Sequence, residues 1–141
     1  MPTPEETHIE NRSRIQPNHA NNHGTAHGGI VMKWMDEVGA MSAMRFARET
    51  CVTAGVERMD FRQPIPVGEI ALIEAYVYDA GRTSVRVRVN ASREDPLTGE
   101  TAPTTESRFV FVAIRDEKPT PVPSLTVESE TDRRLRDEAV E

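Results

Sequence analysis

Residues 84–91, SVRVRVNA, alternate strictly: Val85, Val87 and Val89 fall on one side, Arg86 and Arg88 on the other. A period of two predicts a half-buried strand. IALIEAYVYDA (70–80) is apolar on both faces in its first half, and SRFVFVAIR (107–115) is doubly apolar, which predicts a central strand or one at a subunit contact. CVTAGVERMDF (51–61) is a further strand, in which Gly55 marks a bulge or a close backbone approach. QPIPVGE, the Gly81-Arg82 pair and EDPLTGE are the turns between them. THIENRSRIQ (7–16), with Ile9 and Ile15, reads as an edge strand.

One segment breaks the strand pattern. Residues 29–48, GIVMKWMDEVGAMSAMRFAR, contain good helix formers and no proline, and predict one long helix. Ile30, Trp34, Val38 and Met41 form a stripe, which Val31, Met35, Ala40, Ala43 and Met44 widen until little polar face remains. A helix apolar nearly all round is a buried helix, and its methionines read as core filling. The elements sum to an α+β domain over residues 1–125, in which one long central helix is wrapped by a five- or six-stranded antiparallel sheet. The prolines of KPTPVPSL close it, and residues 126–141 read as an acidic C-terminal tail, disordered or at most a short frayed helix.

Length and composition narrow the function. The chain has 141 residues, enough for one domain, with 37% apolar and 28% charged residues. A net charge of -6 argues against nucleic acid and against an anionic membrane surface as partners. No apolar run approaches the ~20 residues of a membrane helix, and the polar start MPTPEETHIE is not a signal peptide. A single cysteine, Cys51, excludes an internal disulfide and a multi-cysteine zinc site, so a cytoplasmic protein is expected. Fifteen of the 17 basic residues are arginine, a bias that points to a GC-rich or salt-adapted host and not to a function.

The residues richest in chemistry run from Asn21 to Glu37. Gly28 and Gly29 stand where the helix begins, and free N–H groups at a helix start suit an oxyanion or a carbonyl oxygen. Asp36, on an otherwise apolar helix, is either a solvent-facing acid or a base or nucleophile. Gly28 and Asp36 are eight residues apart, about 12 Å along a helix, so one carbonyl group cannot touch both. If both serve one reaction, they come from two chains of a two-fold dimer. His19, His23 and His27 recur every four residues, but in a glycine-containing loop without the carboxylate or thiol ligands of a metal site. Cys51 reads as a structural thiol. Neither a nucleotide-binding glycine loop nor a serine nucleophile elbow is present, so no cofactor and no metal are expected.

Taken together, P-x-x-x-N-x-x-G-x-x-H-G-G-x-V-M-K-W-M-D-E (Pro17 to Glu37), V-T-A (Val52 to Ala54), D-F-x-x-P-I-x-x-G (Asp60 to Gly68), G-x-T-S (Gly81 to Ser84), E-D-P-x-T-G-E, F-V-F-V-A and P-V-P (Pro121 to Pro123) resemble the hotdog-fold acyl-CoA thioesterases. The likeness is nearest to the small bacterial and archaeal acyl-CoA hydrolases and the brain-type cytosolic ones, and covers residues from about 7 to about 125. It implies hydrolysis of fatty acyl-CoA to fatty acid and CoA by a homodimer, commonly gathered as a homohexamer of three dimers. By resemblance, Asn21, Asp36 and the Gly28-Gly29 backbone are catalytic, and Thr83, Ser84, Arg62 and Arg82 are substrate-binding. Trp34, Met35 and Met41 would line the acyl tunnel. Gln63 stands where relatives often carry a basic residue and Glu57 where many carry Asp, which bears on CoA-phosphate contacts and not on the chemistry. A non-catalytic acyl-CoA sensor and a hotdog hydratase or dehydratase are the alternatives.

Overall fold

The computed structural model describes residues 2–140. The strands are β1 (Ile9–Arg14), β2 (Thr50–Val56), β3 (Ile70–Ala80), β4 (Ser84–Glu94), β5 (Thr101–Arg115) and the two-residue β6 (Lys118–Pro119); the helices are α1 (Gly28–Ala47) and α2 (Glu130–Val140). Every strand pairing is antiparallel, in the order β1-β3-β4-β5-β2 with β6 on β5. The sheet curls around α1, which is the hotdog architecture expected.

Strand chemistry explains the register. Val85, Val87 and Val89 are buried toward the helix while Arg86 is exposed, as the alternation predicts. β5 lies between β4 and β2, away from the sheet edges, consistent with its two apolar faces. The β2–β5 register shifts between Thr53 and Gly55, so the bulge falls at the expected glycine. β2 ends sooner than expected, at Val56, and residues 57–64 form a loop. β5 begins earlier than expected, at Thr101; its Pro103 cannot donate to the ladder, and the β4–β5 register slips there.

The helix needs a correction. α1 buries Val31, Met35, Val38, Ser42, Ala43 and Phe46, so of the expected stripe only Val38 is fully covered. The helix is apolar on so many sides that periodicity could not choose the face. Nor is it buried all round: Met32 and Met41 remain exposed on this protomer. Gly39 sets the approach, because a Cβ there would stand 3.1 Å from the Phe111 ring and 3.2 Å from a Val89 methyl. Beneath it Phe109 and Phe111 stack with ring centroids 6.1 Å apart. Arg48, at φ 58°, ends the helix and donates its N–H to the Met44 carbonyl.

The C-terminal segment also differs from expectation. Residues 130–140 form α2, whose Leu135 and Ala139 pack on Tyr76 and Tyr78 on the outer side of the sheet. Ser129 and Asp132 make reciprocal cap bonds: the Asp132 N–H donates to Ser129 Oγ at 3.0 Å, and Asp132 Oδ2 accepts the Ser129 N–H at 3.2 Å. Asp132 also accepts the N–H of Glu128 at 3.1 Å and of Glu5 at 3.0 Å, tying the helix to the N-terminal segment. Composition hid this helix, because its apolar face is only two residues wide.

Burial of Asp132 alone would push its carboxyl up, but the N–H donors of Glu5, Ser129 and Glu128 with the Ser129 side chain together outweigh it and hold the carboxyl below its ordinary value. A carboxyl lowered by folding stabilises the folded state above its unfolded pKa of about 3.9 and loses that contribution as pH falls through the lower folded value. Asp132→Ala should therefore speed amide hydrogen exchange over residues 126–140 about tenfold or more at pH 7, the equivalent of roughly 1–3 kcal/mol, with the gap from wild type narrowing below pH 4.

Candidate functional site

The loop that leads into α1 is built by its own side chains. Asn21 Oδ1 accepts the N–H of His23 at 2.9 Å and of Thr25 at 3.2 Å, while Nδ2 donates to Thr25 Oγ1 at 3.0 Å. An Asx turn of this kind suits a stretch with Gly24 at φ 77°. The amide oxygen is thus occupied, and one of the two Nδ2 hydrogens remains to donate elsewhere. His27 donates its N–H to the His19 carbonyl at 2.9 Å, and its own carbonyl accepts from Ile30 and Val31. The N–H groups of Gly28 and Gly29, one step earlier, have no partner among the described residues and lie in the open.

Beside that helix start is a cleft of about 400 Å³, between α1 and the Phe61–Ile65 loop. Ala26, Val31, Phe61, Pro64 and Ile65 give it apolar walls, Gly28 opens onto it, and Arg62, Gln63 and Thr104 complete the lining. Its size is that of a small-molecule site. The Thr104 hydroxyl is buried without a hydrogen-bond partner among the described residues.

Asp36 lies two turns further along α1, half-buried, and its Oδ1 accepts a hydrogen bond from Thr53 Oγ1 on β2. No hydrogen bond among the described residues joins this pair to Asn21 or to the helix start. The expected catalytic residues therefore fall into two groups within one protomer: Asn21 with Gly28 and Gly29, and Asp36 with Thr53. Thr53 is the residue that sequence reasoning missed. It sits in the V-T-A stretch, and a hydroxyl on an exposed strand position carries no signal until the strand is placed beside the helix.

The expected binding residues are divided as well. Arg62 adjoins the cleft and donates its N–H to the Thr104 carbonyl at 2.8 Å. Arg82, Thr83 and Ser84 form the β3–β4 turn, where Gly81 N–H donates to the Ser84 carbonyl at 2.9 Å and Ala113 N–H to the Thr83 carbonyl at 3.0 Å. Ser84 pairs with Val112, eight residues along β5 from Thr104, or about 26 Å. That turn is at the opposite end of the sheet from the cleft. The residues expected to line an acyl tunnel are not in the cleft: Met35 is packed in the core, Met41 is on the exposed face, and Trp34 meets the His19 ring edge-on at 5.0 Å.

Other candidates are placed as follows. His19 Nδ1 accepts the Gln16 N–H at 3.0 Å, and His23 and His27 are exposed, so the three histidines do not converge. The donors that do approach one another are His8, Glu10 and Glu74, within 4.8 Å at the β1–β3 edge, where Glu10 already pairs with Arg12. Cys51 is buried, and burial with the nearby Glu49 pushes its thiol up to about 11. It should therefore react with an aromatic disulfide reagent at pH 8 at least tenfold more slowly in the native protein than in urea, and substitution by serine should leave the fold intact.

The family described as the thioesterase superfamily matches residues 23–100. A Bacillus subtilis protein named as an uncharacterised acyl-CoA thioester hydrolase is 35% identical over 147 residues, covering 100% of this chain and 86% of that protein. Among solved structures, a hexameric acyl-CoA thioesterase superposes with a TM-score of 0.89 at 35% identity, covering 99% of this chain and 90% of the other. The acyl-CoA hydrolase of Staphylococcus aureus, solved with butyryl-CoA, CoA and CoA disulfide, gives a TM-score of 0.88 at 32% identity, covering 97% and 84%. Alanine variants of that enzyme have been solved at an asparagine, at an aspartate fifteen residues later and at a threonine seventeen residues beyond it. Asn21, Asp36 and Thr53 have the same identities and the same spacing.

Proposed function

This chain belongs to the thioesterase superfamily, and on that premise we propose that it hydrolyses fatty acyl-CoA to the free fatty acid and CoA at a site shared by two protomers. The observation that carries the reading is the Thr53–Asp36 hydrogen bond, made by two of three residues whose types and spacing recur in the Staphylococcus aureus acyl-CoA hydrolase.

The chemistry follows from the donors. The thioester carbonyl oxygen accepts from the free N–H groups of Gly28 and Gly29, whose helix start favours the negative charge that develops there. Thr53 occupies Asp36 Oδ1, which leaves Oδ2 to take a proton from water or to attack the carbonyl carbon. The free Nδ2 hydrogen of Asn21 orients the water or the carbonyl. Water adds, the carbon–sulfur bond breaks and the thiol of CoA leaves with a proton. No cofactor takes part. The acyl chain enters the apolar cleft at Val31, Phe61 and Ile65.

Two features support sharing between protomers. Gly28 and Asp36 of one α1 are separated by about 12 Å, too far for one carbonyl. β2 is a sheet edge with Val52 49% and Val56 44% exposed, beside the uncovered methionines of α1. A two-fold axis that runs two β2 edges antiparallel covers this apolar strip and exchanges the ends of the sheets. Asp36 and Thr53 of one protomer then approach the helix start of the other, and the Arg82–Ser84 turn reaches the same region. In this reading the dimer is the least unit and three dimers gather as a hexamer; the hexameric state of the related thioesterase supports a sixfold assembly. No helix among the described residues is long and apolar enough to cross a membrane; the protein is read as acting in the cytoplasm, with a hydrolase domain over residues 1–125 on whose sheet α2 packs.

Free-thiol release from a series of acyl-CoAs, from acetyl to palmitoyl, tests the reading. Wild type should release thiol, and Asp36→Asn, which preserves shape but neither takes a proton nor attacks, should lose about 10²–10⁴-fold in kcat with the fold intact. Retention of more than a tenth of the wild-type rate would remove Asp36 from the chemistry. Binding of acyl-CoA without thiol release, or hydration of crotonyl-CoA instead, would replace the hydrolase reading by a sensor or a hydratase.

A further inference from the structure

Strand β5 alternates along most of its length: Ser107, Phe109, Phe111 and Ala113 are buried, and the residues between them are less covered. The alternation fails at one place. Ala91 pairs with Thr105 and Ser92 with Pro103, so Thr104 is an extra residue with no partner across the β4–β5 ladder. An inserted residue re-aims the side chains around it, and here two consecutive threonines are buried, Thr104 to 1% exposure and Thr105 to 3%. The backbone is held there, because the Thr104 carbonyl accepts the Arg62 N–H at 2.8 Å.

Both hydroxyls are without a hydrogen-bond partner among the described residues, but only Thr104 lines the apolar cleft beside the helix start. Of the three polar residues in that lining, Arg62 and Gln63 are exposed and Thr104 is buried. Val31 and Ile65, the other buried side chains of the lining, offer it no polar atom. A hydroxyl buried unpaired destabilises a fold, and a valine of nearly the same shape would complete an apolar wall without that cost. An apolar pocket with one buried polar group orients its ligand by that group.

We propose that Thr104 selects the acyl group: its hydroxyl pairs with an oxygen on the acyl chain, so that 3-hydroxyacyl and 3-oxoacyl thioesters are preferred to saturated ones. The inference rests on the hydrolase reading above and deepens it by naming the acyl class. The position of the oxygen follows from the cleft. Gly28, at whose N–H the thioester carbonyl is placed, and Thr104 line the same hollow of about 400 Å³. With the carbonyl at the first, an oxygen that meets the second stands near the thioester end of the chain, as it does on the third carbon. A threonine hydroxyl both donates and accepts, so it serves an alcohol or a ketone. A saturated chain would cover the hydroxyl and leave it unpaired in the complex, whereas a matching oxygen satisfies it.

Thiol release from butanoyl-CoA, acetoacetyl-CoA and the two enantiomers of 3-hydroxybutanoyl-CoA tests the proposal. Wild type should favour one hydroxy enantiomer over butanoyl-CoA by about tenfold in kcat/KM. In Thr104→Val and in Thr104→Ala that preference should fall to within a factor of two of unity, and Thr104→Ser, which keeps the hydroxyl, should retain it. Thr105→Val removes the neighbouring hydroxyl, outside the cleft lining, and should keep the wild-type preference. A preference for acetoacetyl-CoA that valine also abolishes assigns donation by Thr104; one confined to the alcohol assigns acceptance. Equal use of butanoyl-CoA and both hydroxy enantiomers by wild type, or a preference that Thr104→Val retains, would overturn the proposal. Thr104→Val should also raise the thermal midpoint of the free protein by about 3 °C, since it removes an unpaired buried hydroxyl; a lower midpoint would place the partner of the hydroxyl within the fold and overturn the proposal. Calorimetric titration of the same thioesters into Asp36→Asn, with and without Thr104→Val, reads the preference without turnover. Thus an enzyme that releases thiol from none of them would count against the hydrolase reading, and the affinity ratio would still decide this one.

Discussion

The close seat of α1 on the sheet governs the rest of the molecule. At Gly39 a methyl group would stand 3.1 Å from the Phe111 ring and 3.2 Å from a Val89 methyl, so the helix lies close enough to the strands that these neighbours would have to yield to admit one. Burial of Val31, Met35, Val38 and Phe46 then locks its direction and rotation, each large side chain contributing roughly 1.5–3 kcal/mol on leaving water. With direction fixed, the helix start must stand at the Thr104 end of β5, over the apolar cleft. With rotation fixed, Asp36 must face β2, where Thr53 meets it. Neither position is a property of the site residues themselves. A side chain at Gly39 would press on Phe111 and Val89, in the core and away from Asp36 and Thr53.

This dependence explains what the sequence could reveal. The alternation over 84–91 and the doubly apolar 107–115 define strands and their faces, because a period of two leaves one solution. Gly55 announced its bulge for the same reason. The face of α1 was not legible, since apolar residues surround it on most sides and only the sheet decides which are covered. Thr53 and Thr104 were not legible either: each owes its importance to a neighbour that is distant in sequence. α2 escaped notice because eleven mostly charged residues carry just Leu135 and Ala139 as an apolar face, though the Ser129–Asp132 cap was there to be read. Motif resemblance supplied Asn21, Asp36 and the glycine pair; their separation into two groups follows from helix geometry, and the hydrogen bonds of the protomer divide them in the same way.

The electrostatics divide in the same way. On the 57–64 loop and on the outer face of β4 and β5, Arg58, Arg62, Arg88 and Arg108 stand among Glu57, Asp60, Glu106 and Glu138, which pair with them. The apolar cleft and the unpaired N–H groups of the helix start lie side by side at one end of the protomer. Asp36 lies farther along the helix, and under the proposed chemistry a second protomer is the simplest means of bringing it near.

Complementation between two inactive variants tests that sharing most directly. Asp36→Asn and Asn21→Ala are prepared separately with different tags, mixed through unfolding and refolding, and assayed for thiol release from acyl-CoA. If each site takes Asn21 from one chain and Asp36 from the other, a mixed dimer has one intact site and one doubly defective site. Random pairing makes about half of the dimers mixed, so activity should return to about a quarter of wild type. Mixed dimers, confirmed by their two tags, that remain inactive would contradict a site divided between protomers.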